Sequence, residues 1–143
     1  MSPEQLFKIA GTLVLPGWLL LAFLPRWKWS QRIASIFIPL LIALVYLYLV
    51  LAHFRGAEGG FGSLAEVSRL FTNPHMLLAG WIHYLAFDLF IGAWETRDAA
   101  RLKIPHLLVI PCLLLTFLLG PIGLLLYFGL RATLRRKVDV LEA

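Results

Sequence analysis

Residues 33–54 read IASIFIPLLIALVYLYLVLAHF, a run without a single Asp, Glu, Lys or Arg. About 20 mostly apolar residues carry a helix through the hydrocarbon core of a bilayer. In lipid every backbone N–H and C=O must find its partner inside the structure, so such a run has to be helical. It predicts a transmembrane helix. Working outward, Leu6–Leu24, His75–Trp94 and Pro105–Leu130 have the same character. A membrane β-barrel would instead show short alternating strands. The reading is an all-α integral membrane protein, a four-transmembrane-helix bundle that forms a single domain over residues 1–143.

Composition agrees. Of 143 residues, 60% are hydrophobic and 15% charged, against about 45–50% and about 25% in soluble domains. The net charge of +5 does not mark a nucleic-acid partner, because the basic residues flank the apolar runs as they do around membrane spans. The lipid bilayer is the partner that follows. Cys112 is the single cysteine, which excludes a disulfide framework.

Local signals set the helix ends. Ser2-Pro3-Glu4 and Asn73-Pro74 read as caps with proline in the first turn, and Pro105 opens the fourth run. Trp27 and Trp29 are placed as interfacial anchors among Arg26, Lys28 and Arg32. After a glycine-rich turn (Gly56, Gly59, Gly60, Gly62), Ser63 and Glu66 read as a capping box. Leu64, Val67, Leu70 and Phe71 then recur at helical spacing, predicting a short amphipathic interfacial helix between spans two and three. The first run carries one early lysine, has no A-x-A site and is interrupted by Pro16-Gly17, so it reads as a span and not as a cleaved leader.

Four spans put both termini on one side, with Lys8, Arg55, Arg69, Arg131, Arg135, Arg136 and Lys137. The other side holds Arg26, Lys28, Arg32, Arg97, Arg101 and Lys103. That balance is too even to orient the chain.

Ionisable groups inside a span mark function by default, because each costs about 2.5–3.5 kcal/mol or more at the bilayer centre. The third run has most of them: His83 and Asp88 straddle its midpoint, with Glu95, Arg97 and Asp98 near its end. At about 100° per residue, Trp81, Tyr84, Asp88 and Glu95 share one stripe, whereas His83 points roughly 140° from Asp88. The two cannot pair within the helix. Glu95, Arg97 and Asp98 read as a solvated salt-bridge cluster, with Arg97 a natural partner for Glu95 or for a polar substrate end. His53 and His75 fall near one surface and His106 near the other, at no recognisable metal-ligand spacing. In the fourth run, Gly120-Pro121-Ile122-Gly123 predicts a kink, and Pro121 frees a carbonyl one turn earlier, near Phe117.

The run Gly80-Trp81-Ile82-His83-Tyr84-Leu85-Ala86-Phe87-Asp88-Leu89-Phe90, with Pro111-Cys112-Leu113-Leu114, Gly120-Pro121-Ile122-Gly123 and Leu15-Pro16-Gly17-Trp18, resembles the abscisic-acid-deficient-four-like family of small membrane proteins, the neoxanthin-synthase-type group. The resemblance implies carotenoid chemistry: conversion of violaxanthin, an epoxide, into neoxanthin, an allenic alcohol of the same composition. It singles out Trp81, His83, Asp88, Leu89 and Phe90, with Pro121 and Gly123.

Opening an epoxide toward an allene needs an acid at the ring oxygen and a base for a chain proton. A carboxyl in an apolar site can stay protonated and serve as that acid, which assigns Asp88. His83 is the candidate base, with Glu95 as a further catalytic candidate. Trp81, Tyr84, Phe87, Trp94, Arg97 and Pro121 are the candidate substrate-binding residues, the aromatic faces stabilising developing positive charge. No cofactor and no metal are called for: the chain has no glycine-rich phosphate loop, haem-attachment motif or H-E-x-x-H. The expectation is a cofactor-independent isomerase of a carotenoid epoxide or related isoprenoid, forming a homo-oligomer in a bacterial cell membrane or a photosynthetic membrane. The alternatives are a non-catalytic carotenoid- or lipid-binding subunit and a small proton- or solute-translocating protein.

Overall fold

A computed structural model describes residues 1–135, and among them there are helices and turns but no strand. In chain order the helices are α1 (Pro3–Phe23), α2 (Lys28–Arg32), α3 (Ile38–His53), α4 (Leu64–Leu70), α5 (Pro74–Arg101), α6 (His106–Leu119) and α7 (Pro121–Arg135). A π-helical turn over Ile33–Phe37 joins α2 to α3, and a 3₁₀ turn over Phe54–Gly56 follows α3.

Among the described residues, three segments are long and apolar enough to cross a membrane: Pro3–Phe23, Lys28–Gly56 and Pro74–Arg101. Their ends are built as the sequence predicts. The Ser2 hydroxyl accepts the Gln5 N–H at 3.2 Å while the Gln5 side chain accepts the Ser2 N–H at 2.9 Å. The Asn73 side chain accepts the His75 N–H at 2.9 Å ahead of Pro74. The π turn lies just before Pro39, where the Ile38 N–H reaches back to the Ile33 carbonyl. The wider turn accommodates a residue whose ring would crowd the preceding turn of an α-helix. Leu40, Leu44, Leu47 and Leu51 all face outward from α3, a stripe that only lipid solvates without cost.

Helix α5 is the hub, packed by α1, α3 and α6. Small residues allow the approach: a Cβ on Gly17 would overlap Leu89, and one on Gly92 would overlap the Trp18 ring. Between spans two and three, α4 does form. Ser63 caps it by accepting the Glu66 N–H at 3.2 Å, but the Glu66 carboxylate turns to the Gly62 N–H at 2.9 Å, so the predicted capping box is only half made.

The fourth run departs from expectation. Pro105–Leu130 is not one span but two short helices folded against each other, α6 and α7. Gly120 adopts φ +48° between them, and a Cβ on Gly123 would overlap the Thr116 backbone, so the chain reverses there. At 14 residues, α6 is only about 21 Å long, short of the roughly 30 Å hydrocarbon core. It rises from the His106 ring, whose Nε2–H donates to the Ala22 carbonyl at 2.9 Å near the end of α1, to Gly120 beside Asp88 in the middle of α5. Helix α7 then returns, bringing Tyr127 and Arg131 to Asp98 near the end of α5. The far end of α7 therefore lies at the opposite end of the bundle from Pro3, and Arg131 moves to the side of Arg26 and Lys103. Arg136 and Lys137 lie outside the described residues.

Candidate functional site

The hairpin tip meets α5 at Asp88. This carboxyl is 7% exposed, and its Oδ2 has no hydrogen-bond partner among the described residues. Gly120 is required here twice over: its φ is left-handed, and a Cβ would come within 3.0 Å of Asp88 Oδ1. One turn back along α5, the Tyr84 hydroxyl lies beside the Asp88 carboxyl and donates to the Phe117 carbonyl at 3.1 Å. That carbonyl is the one Pro121, lacking an N–H, cannot satisfy.

Two more acids on α5 face the hairpin. Glu95 is fully buried, accepts the Thr116 hydroxyl at 2.9 Å through Oε1, and has no partner at Oε2 among the described residues. Asp98 accepts the Tyr127 hydroxyl at 2.7 Å and pairs with Arg131 at 2.8 Å and Arg101 at 2.9 Å. The expected solvated cluster of Glu95, Arg97 and Asp98 is thus not formed. Both acids are buried beneath the hairpin, while Arg97 lies on the exposed face of α5, apart from Glu95. Thr116, Tyr127 and Arg131 escaped the sequence reading because their partners are set by the reversal at Gly120. The available signal was an arginine closing an apolar run opposite an acid-bearing helix.

The remaining candidates scatter. His83 is exposed and packs its ring against Tyr46 (centroids 6.0 Å) and Phe87 (4.7 Å), away from Asp88. Phe87 is largely exposed, Trp94 meets Tyr127 edge-on and Phe128 at a tilt, and Pro121 opens α7 at an exposed position. His53 and His75 do meet, stacked with centroids 3.8 Å apart. Among the described residues no three His, Cys, Asp or Glu side chains are grouped to hold a metal ion.

Trp81 and Tyr84 come together in a cavity of about 690 Å³ between the start of α1 and the first half of α5. Phe7, Phe71, Leu77 and Gly80 contribute to its apolar wall, and Glu4 and Lys8 also line it. Phe7 and Tyr84 both pack on Trp81, with centroids 5.5 and 5.3 Å away. The volume falls in the range of small-molecule sites, about 300–1,000 Å³. Tyr84 is at once part of this wall and the neighbour of Asp88.

A family model described as ABA DEFICIENT 4-like matches residues 5–127. No curated protein and no solved structure matches the chain.

Proposed function

The chain belongs to the ABA DEFICIENT 4-like family, and from that premise we propose that it is a membrane-embedded isomerase of a carotenoid epoxide or a related isoprenoid. One observation carries the reading: an apolar groove reaches Tyr84, and behind Tyr84 lies Asp88, a buried carboxyl with an oxygen that none of the described residues satisfies. An ionised carboxylate at that depth would be an uncompensated buried charge. The protonated acid needs no counter-ion and has a proton to give.

The reaction balances without a cofactor. The substrate's apolar chain lies along Phe7, Trp81 and the lipid, with its epoxide end at Tyr84. The Tyr84 hydroxyl, between the groove and Asp88, gives its proton to the ring oxygen as the tertiary C–O bond breaks and takes up the Asp88 proton in its place, leaving a cation delocalised along the polyene. A chain proton returns to the Asp88 carboxylate by the same route, the allene forms, and the acid is regenerated. The faces of Trp81 and Tyr84 stabilise the cation. In this scheme one carboxyl plays acid and base in turn, and His83, on the other face of α5, has no part.

The runner-up is a non-catalytic carotenoid- or lipid-binding subunit, favoured by the separation of His83 from Asp88, which leaves no preformed acid–base pair. Pigment analysis of violaxanthin-making cells, with and without the protein, tests both. A new isomer of unchanged mass and altered absorption is the expected result. An unchanged profile with the protein present and folded would remove the isomerase reading for this substrate; pigment or isoprenoid co-purifying with it would then favour the binding subunit.

A further inference from the structure

The groove has two chemically different ends, and the helices that build it fix the distance between them. Pro3 and Pro74 both line it, so α1 and α5 begin at the same end of the bundle and run along each other. Phe7 of α1 meets Trp81 of α5 with ring centroids 5.5 Å apart, which puts those two residues at one level. Tyr84 lies one turn deeper on α5 and Glu4 one turn shallower on α1. Two helical turns, about 10 Å, therefore separate the Tyr84 end from the Glu4 end. Between them the wall is apolar. Phe7, Leu77 and Trp81 are also half exposed, so the groove opens sideways and a ligand can enter from the acyl chains. Lys8 follows Glu4 by four residues on the same face of α1 and lines the groove too, and its long stem lets the ammonium reach toward the level of Glu4. Neither side chain has a hydrogen-bond or ion-pair partner among the described residues.

We propose that the ligand of this groove is a single-ringed isoprenoid alcohol, with its ring at Tyr84 and its terminal hydroxyl between Glu4 and Lys8. A hydroxyl both donates and accepts, so it answers the carboxylate and the ammonium together. A phosphate or carboxylate terminus would meet repulsion from Glu4. Length argues the same way. A C40 carotenoid with a ring at each end matches the hydrocarbon core in length, about 30 Å. With one ring at Tyr84, its second ring would overrun the Glu4 end of the groove. The proposal rests on the reading of this groove as the substrate site, and it narrows the substrate to a molecule that carries one ring and one polar terminus.

The test uses the full chain purified in a neutral detergent, with bound ligand counted by native mass spectrometry. The probes are all-trans-retinol, its methyl ether, which cannot donate to Glu4, and zeaxanthin, which has a hydroxylated ring at each end. Retinol should be retained about fivefold better than the ether, the worth of one hydrogen bond, and better than zeaxanthin. Glu4→Ala with Lys8→Ala should make retinol and its ether equal without changing thermal stability, since both side chains are exposed. A loss of packing alone would weaken the two probes alike and keep their ratio. Equal retention of retinol and the ether by the parent protein, tighter retention of zeaxanthin, or a preference that survives in the double variant would overturn the proposal. Turnover separates it from the isomerase reading. Preferential binding of retinol with no isomer formed from violaxanthin or 5,6-epoxyretinol would remove the isomerase and leave the ligand class standing; conversion of violaxanthin without retention of retinol would do the reverse.

Discussion

Arg131 on α7 and Asp98 on α5 form an ion pair of 2.8 Å between Nε and Oδ2, with side-chain exposures of 0% and 4%. The Tyr127 hydroxyl and Arg101 add to the same carboxylate. This pair ties the returning arm of the hairpin to the hub helix. Breaking a buried pair from one side costs about 3–5 kcal/mol when the charge left behind has no other partner; Asp98 keeps Tyr127 and Arg101, so the loss here is a part of that. Arg131→Met is therefore expected to lower the melting temperature sharply, and Asp98→Asn added to it should recover part of the loss. Thermal unfolding of the two single variants and the double variant measures the coupling; purely additive losses would show that the pair does not hold the hairpin.

Gly120→Ala is expected to destabilise the protein by about 1–2 kcal/mol from its left-handed backbone alone. The new Cβ also presses on Asp88, so activity should fall further than stability does. Melting curves and turnover measured on one preparation separate the two effects.

Asp88→Asn keeps the size of the side chain and removes its acid proton. Under the proposed mechanism, turnover should fall by about 10²–10⁴-fold, the usual contribution of a general acid or base, while the protein still accumulates in the membrane. Turnover equal to that of the parent would remove Asp88 from the chemistry.

His83 and Trp81 make opposite predictions although both lie in the same motif. His83→Ala should leave turnover within about twofold, because the ring packs on Tyr46 and Phe87, away from Asp88. Trp81→Ala opens the groove wall and should raise KM well above its effect on kcat. Steady-state kinetics of both variants decides whether the groove or the His83 face receives the substrate.

Orientation, undecided by the sequence, becomes a prediction once the hairpin is recognised. Lys8, Arg55 and Arg69 remain at the Pro3 end, while Arg131 joins Arg26, Lys28, Arg32, Arg97, Arg101 and Lys103 at the other. The cation-rich end should face the cytoplasm. In intact cells an impermeant maleimide should label Ser2→Cys and spare both Lys28→Cys and Thr133→Cys until the membrane is opened; the native Cys112 is buried. Labelling of Thr133→Cys together with Ser2→Cys would mean that α7 completes a crossing.

By itself the sequence determined the solvent and the secondary structure. Unbroken apolar runs cannot leave backbone groups unpaired in lipid, so helices followed from composition, and the caps at Ser2 and Asn73 followed from side-chain chemistry within a few residues of each terminus. The stripe of Trp81, Tyr84 and Asp88 was legible for the same reason, since helical periodicity alone aligns them. Whether Pro105–Leu130 crosses the membrane was not legible. One long helix and two half-helices pair nearly the same backbone groups and have the same hydropathy. The choice between them is made by contacts distant in sequence: Gly123 against Thr116, Tyr84 on the Phe117 carbonyl, and Arg131 on Asp98. Those contacts also decided the surroundings of the acids, burying Glu95 and Asp98 under the hairpin and leaving His83 outside, because a side chain's partners depend on which helix packs against its face.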